Sequence, residues 1–256
     1  MVPHSIELLK KTWDQLGQDD PLWAVVSDPA KRRGKWALDD FLATGERDVT
    51  RLCELIGRWG QRLPPFDHVL DFGCGVGRLT LAWSKRARTV TGVDISATMI
   101  QKARAILQSA DNVTLKVNSE ADLRCLPANL VDLVASHICL QHMPWSLAEG
   151  YVREFARVAR PDGLVVFQVP SSLAKAHLAD TLKKKLVESL PFGWGARYRR
   201  WRRGTDAVFE MHFTPVETVL ASAEAAGLKL LHREPDLSAG DSTEGFIYLF
   251  QVPRRV

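Results

Sequence analysis

Three glycines at alternate positions, Gly73, Gly75 and Gly77, follow an apolar stretch that contains Asp71. A strand that ends in such a turn and opens a helix brings bare backbone N–H groups against a ligand. Glycine has no Cβ, so the ligand can approach closely and a positive φ is allowed. The segment therefore predicts a binding turn for a nucleoside-type cofactor.

A second acid, Asp94, stands 23 positions after Asp71, at the end of the apolar sequence GVDI. An acid at the end of the second strand of such a fold is placed to accept hydrogen bonds from ribose hydroxyls. The alternative is a tight structural turn and an unrelated surface acid.

The glycine spacing also differs from that of a dinucleotide site. A dinucleotide fingerprint has Gly-x-Gly-x-x-Gly, whereas this chain has Gly-x-Gly-x-Gly, with Asp71 two positions before the first glycine. A pyrophosphate favours a helix N-terminus without a nearby acid, and Asp71 would repel it. The acid instead suits a cationic cofactor with an amino-acid tail.

The surrounding sequence alternates between strand and helix patterns, which indicates a parallel sheet with helices on both faces. We predict strands at 68–72, 89–95, 112–118, 130–138, 164–169, 228–235 and 246–255. We predict helices at 49–63, 78–86, 96–110, 146–159 and 214–227. The expected organisation over 1–256 is a single domain, divided into a helical cap (1–66), a core (67–170), an inserted lid (171–213) and a closing helix with two strands (214–256).

Four motifs, VLDFGCGVGRLT, VTGVDIS, LVDLVASHICLQHMP and VARPDGLVVFQV, resemble in order and spacing those of the class I S-adenosylmethionine-dependent methyltransferases, of the bacterial small-molecule type. The resemblance covers roughly residues 66–170, and more loosely the elements after 213. It implies an α/β fold: a doubly wound, seven-stranded Rossmann-like sheet with the last strand inserted antiparallel. It also implies S-adenosylmethionine as the cofactor.

The resemblance carries over to a set of cofactor-binding residues. Gly73, Cys74 and Gly75 would pass beside the methionyl part, near Asp71, and Asp94 would take both ribose hydroxyls. Ile95 and Met99 would flank the adenine, and Asp122 with Leu123, or alternatively Glu120, would meet its amino group. Ser136 and His137 would lie near the sulfonium, and Arg78 completes the predicted set.

Methyl transfer depends mainly on the proximity and orientation of the acceptor. A hydroxyl acceptor also has to lose a proton, and histidine is the side chain that titrates near neutral pH. His142, whose place resembles that of a recurrent histidine in the bacterial small-molecule members of the family, is the first candidate for this catalytic role. His137 and His212 compete with it, and each of the three could instead be structural. We expect no metal.

The acceptor site is expected to come from the flanking segments. Trp36 and Phe41 could cover the site, or simply pack in the helical cap. The lid carries eight basic residues between 183 and 203, interleaved with aromatic ones, which suits an anionic or aromatic small molecule. The alternative is a solvated helical face. We expect no nucleic-acid partner, since the net charge of the whole chain is only +4.

The composition fits an ordinary globular protein of 256 residues. The sequence shows no signal peptide and no membrane-spanning run, and its four scattered cysteines suggest reduced thiols. We therefore expect a cytoplasmic monomer or homodimer. The predicted function is small-molecule O-methylation, of a secondary metabolite or sugar. The alternatives are an N-methyltransferase, a cofactor-binding module without transfer activity, and an NAD-dependent dehydrogenase.

Overall fold

The computed structural model describes residues 6–60, 62–173, 210–240 and 242–254. Its strands are β1 (Phe66–Phe72), β2 (Ala87–Asp94), β3 (Val113–Val117), β4 (Val131–Ser136), β5 (Ala159–Leu173), β6 (Lys229–Pro235) and β7 (Thr243–Gln251). Its helices are α1 (Ile6–Asp19), α2 (Pro21–Val25), α3 (Leu38–Leu55), α4 (Arg78–Ser84), α5 (Ala97–Ile106), α6 (Trp145–Val158) and α7 (Val216–Ala225). Short 3-10 turns span Pro29–Lys31 and Leu140–His142.

The strands form one sheet in the order β3-β2-β1-β4-β5-β7-β6. β1 to β5 pair in parallel, and β7 lies antiparallel between β5 and β6. This confirms the predicted seven-stranded sheet and its antiparallel last strand. The order reverses between β1 and β4, and α/β sheets bind ligands at such a switch point, outside the carboxyl ends of the strands.

Both faces of the sheet are covered, as a parallel sheet requires. On one face, Val152 and Phe155 of α6 and Val219 of α7 pack on the core. On the other, Leu52 of α3 and Trp83 of α4 do so. Every residue of β4 is buried, including Asp132, whose carboxylate is ion-paired with Arg62 and Arg160.

The N-terminal helices form a cap attached to the carboxyl end of the sheet. Asp14 of α1 accepts hydrogen bonds from the Ser96 hydroxyl (2.6 Å) and the Thr98 N–H (3.2 Å) at the start of α5. Trp36 and Phe41 pack edge to face within the cap, their ring centroids 5.7 Å apart. The structure thus gives these two aromatics the packing role, and other cap residues reach the site.

Several element boundaries differ from the prediction; β5, predicted at 164–169, spans Ala159–Leu173. The helix predicted at 49–63 begins earlier, at Leu38, and after Leu55 continues as a π-helical turn, Ile56–Gly60. The predicted lid, with its basic and aromatic residues, falls almost entirely on 174–209, outside the described residues. Within the described ranges, no helix is long and apolar enough to cross a membrane, and no three His, Cys, Asp or Glu side chains are grouped to hold a metal ion.

Candidate cofactor and acceptor site

A cavity of about 520 Å³ opens at the carboxyl ends of β1 to β4. Its floor is formed by the loops that follow these strands, and the cap contributes Trp13 from α1 and Val25 from α2. Ser238 and Gly240, from the β6–β7 connection, lie on another wall. The size and position are those of a small-molecule site in a doubly wound fold.

The glycine turn after β1 has the conformation that its sequence predicted. Gly73 has φ +77° and Gly75 has φ +54°. A Cβ on Gly73 would lie 2.2 Å from the Cys139 Sγ, and one on Gly75 would lie 2.9 Å from Val25. The Gly73 and Cys74 N–H groups both donate to the Val93 carbonyl, so the turn is tied to β2. Gly73, Cys74 and Gly75 line the cavity.

Asp94 links this turn to the end of β2. Its carboxylate accepts hydrogen bonds from the N–H groups of Gly75 and Ser96, each at 2.8 Å. Burial raises the pKa of Asp94 to about 6, so the carboxylate is mainly ionised at neutral pH. It lies on the cavity wall beside Ile95, where it can accept hydrogen bonds from ligand hydroxyls.

Asp71 is placed behind the turn. It is 1% exposed, lies outside the cavity wall, and accepts a 2.6 Å hydrogen bond from the Thr80 hydroxyl. Burial raises its pKa to about 6, and the neighbouring Asp94 adds to the rise. From this position Asp71 can influence a ligand through its charge and through the turn beside it.

Three residues predicted at the adenine, Met99, Asp122 and Leu123, also do not line the cavity. Met99 is fully buried against the cap. Asp122 is ion-paired with Arg124, whose hydrogen bonds hold the Asp122 pKa below its usual range. The Leu123 N–H donates to Glu154 at 2.7 Å.

The residue that this strand end does place on the wall is Asn118, directly after β3. Its amide donates to the carbonyls of Glu120 and Asp122. Sequence reasoning missed Asn118, although its place at the end of a predicted strand was a usable signal.

A polar cluster occupies the cavity where β4 ends. Gly45 of α3 packs so tightly on α4 that a Cβ there would lie 2.3 Å from the Arg78 carbonyl. Thr44 and Asp48, one helical turn apart, both reach the Arg78 guanidinium, which donates to Thr44 at 3.1 Å and is ion-paired with Asp48. His137 completes the cluster, its Nε2 4.0 Å from the Asp48 Oδ2.

Of the predicted residues here, Arg78 and His137 line the cavity, and Ser136 is buried beneath it. Burial lowers the pKa of His137. Sequence reasoning missed Asp48 and Thr44, because only the folded structure brings α3 against α4.

His142 lines the cavity at the 3-10 turn after β4. Its Nδ1 lies 3.0 Å from the Glu210 carbonyl, so Nδ1 carries the proton. Trp13 packs edge to face on the ring, with centroids 5.1 Å apart. Burial lowers the pKa of His142 to about 4, so the imidazole is neutral at pH 7. His212, the third candidate, does not line the cavity, and its backbone N–H donates to the Gln141 carbonyl.

The described walls are mostly apolar and carry a net negative charge. Asp28, Asp48 and Asp94 face only one basic side chain, Arg78. This balance favours a cationic ligand such as a sulfonium. The tight glycine turn suits close approach of the methionyl part of S-adenosylmethionine, and the Asp94 carboxylate suits its ribose. The residues present therefore suit that cofactor.

Comparison with known proteins agrees with this geometry. Residues 69–163 match the family described as Methyltransferase domain. The chain is 31% identical to the malonyl-[acyl-carrier protein] O-methyltransferase of Salmonella typhimurium, over 67% of this chain and 70% of that protein. It is 32% identical to the ubiquinone biosynthesis O-methyltransferase of Coxiella burnetii, over 48% of this chain but only about half (52%) of that protein.

Among solved structures, the fold resembles that of magnesium protoporphyrin IX methyltransferase from Synechocystis, with bound S-adenosylhomocysteine. The TM-score is 0.63, over 96% of this chain and 98% of that one. The sequence identity is 18%, so this likeness concerns the fold alone.

Proposed function

Because this chain belongs to the class I S-adenosylmethionine-dependent methyltransferases, we propose that it methylates an oxygen atom of a small molecule. The observation that carries the proposal is a single cavity that runs from Asp94 to two histidines, His137 and His142. One end has the groups that a nucleoside needs, and the other has groups that can take a proton. The two O-methyltransferase relatives support oxygen as the acceptor atom.

The bound cofactor supplies an electrophilic methyl group on a sulfonium. The chain itself holds and orients the reactants. We propose that Asp94 fixes the ribose, that Gly73 and Gly75 allow close approach of the methionyl part, and that Arg78 contributes to its binding. The apolar part of the cavity wall, including Trp13, excludes water and limits the acceptor to poses in line with the methyl group.

The finer character of the acceptor and of the assembly is also a proposal. Trp13, Phe72 and Tyr151 on the wall support an aromatic acceptor, whereas the described walls offer an anionic one only Arg78. We propose a cytoplasmic enzyme that acts as a monomer or homodimer and folds as a single domain. The free thiols of the described residues are consistent with a reducing compartment.

N-methylation is the second candidate, favoured by the exposed part of Asp48, whose carboxylate could bind an amine. A neutral amine attacks through its nitrogen lone pair and sheds a proton only after the methyl group has been transferred, so N-methylation needs no histidine. Loss of His137 and of His142 would then change turnover little. A module that binds the cofactor without transfer would show affinity and no turnover.

The test is a turnover assay that follows S-adenosylhomocysteine formation with catechol, 4-hydroxybenzoate, glucose and benzylamine as probe acceptors. We expect turnover with a hydroxyl probe and its loss in Asp94→Ala. Asp111→Asn, an exposed acid beside β3, is the matched control and should retain full turnover. Turnover with benzylamine alone would replace O- by N-methylation, and binding without any turnover would contradict the proposal.

A further inference from the structure

The two histidines on the cavity wall differ in what surrounds their rings. The His137 side chain is only 5% exposed, and neither of its ring nitrogens has a hydrogen-bond partner among the described residues. Buried polar atoms are nearly always paired. An unpaired imidazole on a cavity wall therefore points to a partner that arrives with the ligand.

Charged groups from three parts of the fold face His137. Asp48 and Arg51 of α3, Arg78 of α4 and Asp236 after β6 all act on its pKa. The two carboxylates raise the pKa, and the two guanidinium groups lower it. Asp48 has the largest effect of the four, and its Oδ2 lies 4.0 Å from Nε2. A proton gained by His137 would therefore be stabilised chiefly by Asp48.

His142 has a different environment. Its Nδ1 donates to the Glu210 carbonyl, and the Gln141 side-chain amide lies 3.4 Å from its Nε2. Both ring nitrogens are thus engaged by protein groups. The charge of His212 acts against protonation of His142. His142 therefore remains neutral and forms part of the cavity wall together with Trp13.

We propose that His137 is the catalytic base that accepts the proton of the acceptor hydroxyl, and that Asp48 is the positioning residue that orients and stabilises the resulting imidazolium. The inference rests on the proposed O-methylation and identifies which residue makes it possible. Nε2 is the ring nitrogen that lies 4.0 Å from the Asp48 Oδ2, so we assign the accepted proton to Nδ1. Arg78, which also donates a hydrogen bond to Thr44, in turn holds the Asp48 carboxylate in place.

The step balances as follows. The acceptor O–H bond breaks and its proton passes to His137, while a new O–CH₃ bond forms. The S–CH₃ bond breaks, and its electron pair stays on sulfur, which becomes a neutral thioether. The products are the methyl ether, S-adenosylhomocysteine and a proton that His137 releases to solvent.

The first test needs no acceptor. NMR titration of the His137 imidazole compares the wild type with Asp48→Asn and with Asp39→Asn, an exposed acid on the same helix. An opposite charge within about 4–6 Å shifts a pKa by roughly 1–3 units. We therefore expect Asp48→Asn to lower the His137 pKa by about one unit or more, and Asp39→Asn to leave it unchanged. An unchanged pKa in Asp48→Asn would overturn the pairing.

The second test separates a base from a structural residue by the acidity of the probe. A phenolic hydroxyl ionises at a pKa of about 10, whereas 4-nitrocatechol is much more acidic than catechol. We expect His137→Gln to lower kcat with catechol by roughly 10²–10⁴-fold and to lower it far less with 4-nitrocatechol. Equal losses with both probes would show a structural role and overturn the inference.

Two controls complete the design. Calorimetry with S-adenosylhomocysteine should give the same affinity for His137→Gln as for the wild type, which shows that the variant is folded. His142→Gln should lose less than His137→Gln does with catechol, and the reverse order would move the base to His142. If the wild type turns over no hydroxyl probe, the proposed function fails, while the NMR titration still decides the coupling of His137 and Asp48.

Discussion

Replacement of Asp94 tests the assignment of the cofactor end most directly. Its carboxylate accepts two backbone hydrogen bonds of 2.8 Å, from Gly75 and Ser96, and it faces the cavity where the ribose is proposed to lie. Asp94→Ala removes both acceptor oxygens. Asp94→Asn keeps the shape and one acceptor, but turns an NH₂ group towards donors.

The magnitude follows from the number of bonds lost. A hydrogen bond to a charged group contributes about 1.5–3 kcal/mol. Loss of two such bonds to ribose hydroxyls in Asp94→Ala therefore weakens binding by about 3–6 kcal/mol, or roughly 10²–10⁴-fold. Asp94→Asn loses one and should weaken binding roughly 10–100-fold. Folding also suffers in Asp94→Ala, because the Gly75 N–H loses its partner at a cost of about 1–3 kcal/mol.

The assay is calorimetric titration with S-adenosylhomocysteine at pH 8, where Asp94 is ionised in the wild type. Urea unfolding of each variant, read in parallel, reports how much of the protein is folded at the temperature of the titration. Asp111→Asn serves as the control with the same change of charge. An affinity for the folded Asp94→Ala variant within about threefold of the wild type would refute the assignment of the ribose site.

Four further predictions concern the glycine turn and the two acids beside it. Burial raises the pKa of Asp71 and of Asp94 to about 6, so S-adenosylmethionine affinity should fall as pH drops from 7 to 5 and both acids become neutral; a flat calorimetric profile would contradict this. The effect on folding has the opposite sign, because these folded-state pKa values lie above those of the unfolded chain. The contribution of the two acids to the free energy of unfolding should decline as the pH rises from about 4 to 6, and urea unfolding at several pH values can measure this decline. Gly73→Ala places a Cβ 2.2 Å from the Cys139 Sγ at φ +77°, whereas Gly227→Ala has a similar φ of +81° with open space around it. Left-handed strain costs about 1–2 kcal/mol and overpacking about 1–3 more, so Gly73→Ala should be the less stable variant in urea, and equal losses would argue against the clash. Thr80→Val removes the 2.6 Å hydrogen bond to Asp71 and should cost about 1–3 kcal/mol at pH 8; unchanged unfolding would show that Asp71 does not depend on that bond.

The sequence predicted those features that depend on local chemistry. The turn at Gly73 and Gly75 needs positive φ and a missing Cβ, and the sequence shows both requirements directly. Asp94 could be placed because its strand ends at the same edge of the sheet as the turn. The parallel sheet followed from the alternation of strands with helices, and its antiparallel last strand followed from the resemblance to a known family.

Other features depend on contacts between distant segments, which one sequence does not display. Asp48 meets His137 only because Gly45 lets α3 approach the backbone of α4 closely. Met99, predicted at the adenine, is taken up by the core of the cap instead. Asp122, also predicted at the adenine, is ion-paired instead with Arg124, two positions along the chain. In each case a tertiary or neighbouring contact competes with the role that the motif alone predicts.

The acidic walls of the cavity have a consequence for the direction of the catalytic cycle. Asp28, Asp48 and Asp94 outnumber Arg78, so the described walls attract the positively charged methyl donor. Transfer removes that positive charge and leaves a neutral sulfur, while the charge of the walls is restored once the released proton has left. The electrostatic part of the attraction therefore disappears with the reaction itself. By this electrostatic contribution alone, the spent cofactor is held less strongly than the fresh cofactor.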